Sequence, residues 1–102
     1  MIPRGALLAA CVWVLLVMSA CRGVPDGSVI FEREGCTLCH RFKDMGSGLD
    51  LTEVTSRRSD AWIREQIRSP RRHRPDTGMR SFAHLSRAEI DALVRLLHTG
   101  DK

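Results

Sequence analysis

The chain has 102 residues, with 16 basic against 12 acidic side chains and a formal net charge of +4. That length allows one domain, and setting aside an apolar N-terminal stretch leaves roughly 80 residues to fold. A domain this small buries little surface and needs a staple such as a metal, a disulfide or a covalent group.

Residues 1–20 read as a secretion signal. Met1-Ile2-Pro3-Arg4 carries the positive charge, and Gly5 to Ala20 is almost wholly apolar. Val17-Met18-Ser19-Ala20-Cys21 ends in small residues before a cysteine and resembles a bacterial lipoprotein signal, in which Cys21 is lipidated and becomes the new N-terminus. Two alternatives stay open. One is an uncleaved anchor, from an apolar run just short of the ~18–20 residues that span a bilayer; the other is simple cleavage. All three put the domain outside the cytoplasmic membrane, which excludes nucleic acid as a partner. Residues 21–26, with Gly23 and Pro25, form a tether. The domain proper is 27–102.

Gly27 to Gly35 predicts a short helix with Val29, Ile30 and Phe31 turned inward. Residues 41–58 read mostly as loop, with Met45-Gly46-Ser47-Gly48 as a breaker cluster. Ser59 or Asp60 caps a helix from Ala61 to about Ser69, carrying Trp62, Ile63 and Ile67 and stopped by Pro70. Arg71 to Phe82, with Pro75 and Gly78, is an extended, irregular loop. Ser86-Arg87-Ala88-Glu89 has capping-box spacing. The last helix carries Ile90, Leu93, Val94 and Leu97 at i, i+3, i+4 and i+7 and ends near His98, with Gly100 as its C-cap. No strand-like alternation is visible. The fold class is therefore all-α, with three to four helices and long loops.

Between the first helix and the loops lies Cys36-Thr37-Leu38-Cys39-His40. This spacing reads as the attachment site of a c-type haem. Each thiol can add to one haem vinyl group, and the adjacent His40 sits beneath the porphyrin and binds the iron. An exported chain can also join two such cysteines as a disulfide, so a thiol–disulfide protein is a rival from another class. Such domains usually build their CxxC on a strand–helix scaffold, and none is visible here.

A low-spin haem needs a second axial ligand. Met45 lies too near His40 to reach the opposite face. Met79, in Pro75-Asp76-Thr77-Gly78-Met79-Arg80-Ser81-Phe82, lies far enough along to wrap around the disc. His73, His84 and His98 are the weaker candidates; His73 sits among Arg71, Arg72 and Arg74 and reads as solvated. Eight arginines fall between Arg57 and Arg80 against Asp60, Glu65 and Asp76, which suits an anionic partner, lipid headgroups or a merely solvated face.

Taken in order, these segments resemble the class I monohaem cytochromes c over nearly the whole mature chain. Gly48-Leu49-Asp50-Leu51 is similar to the family's Gly-Pro-x-Leu turn. Arg57-Arg58-Ser59 with Trp62-Ile63 is similar to its Arg…Trp-Leu segment, and Ile67 to Pro70 to its Ile-x-x-Pro. Met79-Arg80-Ser81-Phe82 is similar to the Met-Pro-x-Phe distal loop. The resemblance implies one covalent haem c held by Cys36 and Cys39. It implies iron between His40 and Met79, with Arg57 and Trp62 near a propionate. It also implies that Gly27 and Phe31 cross the last helix near Leu93 and Leu97.

Two departures stand out. Leu49 replaces a proline whose carbonyl takes the proximal histidine's Nδ1–H, and Arg80 replaces the proline after the distal methionine. The second predicts a charge near the haem edge and a looser Met79 loop. The function implied is that of a one-electron carrier, not an enzyme, working between periplasmic or membrane redox proteins as a monomeric, tethered domain. A haem-bearing subunit of a larger oxidoreductase and a gas- or peroxide-binding haem are the alternatives.

Overall fold

The computed structural model describes residues 23–100, so the signal or anchor and Cys21 lie outside the described residues. Helix α1 (Gly27–Arg33) starts where the Asp26 carboxylate accepts from the backbone N–H of Ser28 at 2.9 Å and from its hydroxyl at 2.7 Å. This is an N-cap, satisfying donors that no earlier turn can. Its inward stripe is Gly27, Ile30 and Phe31. Val29, expected to bury, is 54% exposed while Ile30 is 2% exposed. The i, i+3, i+4 face defined by Gly27 leaves position 29 on the other side of the helix. Gly35, in the left-handed conformation with φ 75°, ends this segment and opens a 3-10 turn over Cys36–Leu38.

The stretch expected as loop contains a small three-stranded sheet. Strand β1 (His40–Phe42) pairs antiparallel with β2 (Met45–Gly46), Arg41 opposite Gly46, and parallel with β3 (Leu49–Asp50), His40 opposite Leu49. Strands of two or three residues are too short to show a period-two pattern, which is why no alternation marks them. Phe42, 2% exposed, anchors the sheet in the core. Gly48, at φ 103°, lets the chain pass tightly behind the CxxCH segment: a Cβ there would stand 3.0 Å from the Cys39 carbonyl carbon. Leu49 N–H then donates to the Cys39 carbonyl at 3.0 Å.

Helix α2 (Val54–Arg57) is a single turn. Helix α3 (Asp60–Arg68) is capped by the Ser59 hydroxyl, which accepts from Trp62 N–H at 3.1 Å, and it buries Ile63 and Ile67. Pro70 stops it and begins a 3-10 turn (Pro70–Arg72). The long loop that follows is pinned at its far end. Phe82 N–H donates to the Ile67 carbonyl at 3.0 Å, and the Ser81 hydroxyl to the Arg68 carbonyl at 2.7 Å.

Helix α4 (Arg87–Thr99) has the full capping box, with Glu89 N–H donating to the Ser86 hydroxyl at 3.1 Å and Ser86 N–H to the Glu89 carboxylate at 3.0 Å. Gly100 closes it in the left-handed conformation. Beyond the expected stripe, α4 also buries Ala92 and Leu96, because both α1 and α3 pack on it. The result is a small, mainly helical domain whose core joins α1, α3 and α4 with Phe42, Phe82 and Leu85.

Candidate haem site

The core is not closed at its centre. A cavity of about 820 Å³, its open mouth included, lies between α1, the CxxCH segment, α3 and the long loop. Phe31, Ile63, Ile67, Phe82, Leu93 and Leu97 supply much of its apolar wall. Four of the residues singled out from the sequence come together on it: Cys36, His40, Trp62 and Met79.

His40 reaches the cavity from the first position of β1. Its Nδ1 is buried without a hydrogen-bond partner, and the paired strand brings Leu49 beside it. Burial pushes the imidazole pKa down, and the Leu49 backbone opposes this by less. The neutral ring is the form that binds a metal. With Nδ1 turned to the protein, Nε2 is the nitrogen left to act as a ligand. Leu49 stands beside the ring at this turn, and no hydrogen bond joins it to Nδ1.

Cys36 lines the cavity half-buried, and burial raises its thiol pKa. Cys39 is exposed, and both are free thiols. Among the described residues no group of three or more His, Cys, Asp or Glu side chains converges to hold a bare metal ion.

Met79 enters from the long loop. Its N–H donates to the Thr77 hydroxyl at 3.2 Å, and its sulfur accepts from the Gln66 amide at 3.4 Å. Arg80, the residue expected to loosen this loop, makes contacts across the fold. Its guanidinium donates to the Glu34 carbonyl, two residues before Cys36, and lies 5.0 Å from the Phe82 ring centre. The residue after the methionine thus straps the distal loop to the CxxCH side.

Trp62 is half-buried on the wall. Arg57, in the last turn of α2, is exposed and does not line the cavity, whereas its neighbour Arg58 lies 4.3 Å over the Trp62 ring. Met45 packs against the core from β2. His84 pairs with Glu34 at 3.1 Å and His98 with Asp60 at 2.6 Å, and neither lines the cavity. His73 was expected in solvent. It is exposed, yet its ring stacks on Trp62 with centroids 4.3 Å apart and 4° between planes.

The family model for cytochrome c matches residues 24–101. The chain belongs to the cytochrome c family. Comparison with curated proteins and with solved structures returns no match. Membership implies a covalent haem c, haem-based electron transfer with redox protein partners, and a place outside the cytoplasm. The site fits that group. Its walls are apolar, Cys36 of the free CxxC pair lines it while Cys39 is exposed three positions on, and a nitrogen and a thioether line one cavity from separate segments. Among the described residues no helix is long and apolar enough to cross a membrane.

Proposed function

We propose that this cytochrome c is a one-electron carrier with histidine–methionine ligation. Cys36 and Cys39 would hold the haem through thioethers, and His40 and Met79 would be the two residues that bind its iron. Trp62, with the guanidiniums of Arg57 and Arg58, is assigned to the propionate edge. When bound, the haem iron supplies the chemistry by cycling between ferric and ferrous.

The chain's residues do the rest. With His40 and Met79 both bound to the iron, no position would be left for a substrate. A thioether ligand raises the reduction potential relative to two imidazoles. The apolar wall keeps water from the ring, and the Arg80 strap holds the methionine loop against the attachment side. The observation that carries this reading is that His40 and Met79 line one apolar cavity with Cys36.

The carrier is assigned to the periplasmic side of the cytoplasmic membrane, held there by lipid on Cys21 or by an uncleaved N-terminal segment. There it shuttles electrons between membrane or periplasmic redox proteins.

Protein made with a c-type maturation system tests the attachment and the ligands together. Intact mass should show one added haem, and the Cys36→Ala/Cys39→Ala double variant should show none. Ferric wild type should carry the weak far-red sulfur-to-iron band, and Met79→Ala should lose it while Met45→Ala keeps it. Haem released into acidified organic solvent would overturn the attachment. A band that survives Met79→Ala would overturn the ligand assignment.

A further inference from the structure

Gln66 and Trp62 sit one turn apart on α3, so their side chains share a face. The chain then turns at Pro70–Arg72 and brings His73 back over that face. His73 Nδ1 lies 2.8 Å from Gln66 Oε1, and Gln66 Nε2 lies 3.4 Å from Met79 Sδ. From this chain of contacts, and resting on the assignment of Met79 as an axial ligand, we infer that His73 is a positioning residue for that ligand, acting through Gln66.

The argument is one of donors and acceptors. A carbonyl oxygen only accepts, so Nδ1 carries the hydrogen between His73 and Gln66. That bond commits the oxygen end of the carboxamide to His73 and turns its NH2 end to the sulfur. A thioether has no hydrogen to give and only accepts. The reversed amide would set a carbonyl oxygen against a sulfur lone pair, so the sulfur decides which way the carboxamide faces. His73, as the Nδ1–H tautomer, anchors the oxygen end and so holds the donor on the sulfur.

The imidazole is itself held. It lies flat on Trp62, which also carries Arg58 over its ring at 4.3 Å. The charged groups next to His73 along the chain are engaged elsewhere, Arg72 with Glu65 and Arg74 with Asp76, each at 3.3 Å. An exposed histidine thus fixes the environment of a sulfur it does not touch. Hydrogen bonds to the ligands of a redox metal tune its potential and fix the ligand's orientation. A donor on the sulfur puts positive charge near the iron and favours the ferrous state.

The test uses holo-protein and four variants: Gln66→Leu, His73→Ala, His73→Asn and the Gln66→Leu/His73→Ala double. Asparagine keeps an N–H where Nδ1 stood, so it separates loss of the donor from loss of the ring. The readouts are the midpoint potential, the ferric far-red band and the Gln66 side-chain amide resonances in the ferrous form. Gln66→Leu and His73→Ala should each move the redox equilibrium about threefold toward ferric, a fall of about 30 mV at 59 mV per tenfold. Both should shift the far-red band.

His73→Asn should sit near wild type, and the double variant should shift no further than Gln66→Leu alone. Potential and band unchanged in His73→Ala would overturn the inference. So would an equal His73→Ala effect in the Gln66→Leu background, which would mean that His73 does not act through Gln66. A wild type with no far-red band would instead overturn the Met79 assignment, and the inference with it.

Discussion

Gly27 on α1 lies directly against Ala92 on α4. A Cβ added at Gly27 would stand 3.0 Å from both the Ala92 carbonyl carbon and Leu96 Cβ, and closer still to the Ala92 oxygen. The neighbour is backbone on a helix packed from two sides, so it cannot swing away. Gly27→Ala should therefore destabilise the protein even though alanine favours helix by about 1 kcal/mol. Overpacking of this kind costs roughly 1–3 kcal/mol. Thermal unfolding of the holo-protein should show a melting temperature lower by about 4–8 °C per kcal/mol. An unchanged melting temperature would mean that the two helices separate easily. Phe31, Leu93 and Leu97 reach the cavity from this same crossing, so the variant should also perturb the haem absorption bands.

The second prediction concerns acid. Glu89 is pushed down to about 2, first by the Ser86 backbone N–H and then by Arg33, and Asp50 to about 2, first by the Thr52 hydroxyl. Both carboxyls have folded pKa values below their unfolded ones. Their stabilisation is therefore complete above the unfolded value of about 4 and is lost as pH falls towards 2. Denaturant midpoints should begin to fall below about pH 6.5, where unfolding lets the buried neutral His40 take up a proton, and fall further below about pH 5 as these carboxyls protonate. Glu89→Gln should shallow that fall. Ser86→Ala should cost about 1 kcal/mol at neutral pH by removing the cap. A slope below pH 4 that is the same in Glu89→Gln as in wild type would contradict this role for the capping box.

Local features of this fold were legible and tertiary ones were not. Ser59, Pro70, the Ser86–Glu89 box and Gly100 act on their own few residues, so sequence spacing alone located α3 and α4 to within a residue or two. The sheet around His40 was missed because pairing between strands of two and three residues depends on the turns that bring them together. The cavity residues Cys36, His40, Trp62 and Met79 were legible from motif and spacing. Gln66 was not, since a lone glutamine on a helix carries no signal until its neighbours are known. The stack of His73 on Trp62 was hidden by the surrounding arginines, which argue for solvent. The one available sign was the proline-led turn that doubles the chain back over α3. The loss of a proline at position 80 is legible because proline rigidity is local, whereas the bond from Arg80 to the Glu34 carbonyl spans the fold and leaves no mark in the sequence.

The third prediction concerns the tether, which lies outside the described residues. With Cys21 lipidated, the full-length protein should incorporate radioactive palmitate and partition into detergent, and Cys21→Ser should abolish the label. Unlabelled wild-type protein that still begins at Met1 would identify the N-terminal segment as an uncleaved anchor instead.

With His40 and Met79 both bound to its iron, the haem would have no open position, which makes the protein a carrier and not a ligand-binding haem. The measurement that tests this most directly is a carbon monoxide difference spectrum of dithionite-reduced wild-type protein at neutral pH, with Met79→Ala beside it. The account predicts almost no change in wild type and a strong carbon monoxide spectrum in Met79→Ala. Ready binding of carbon monoxide by the wild-type protein would contradict it, because the sixth position would then be open.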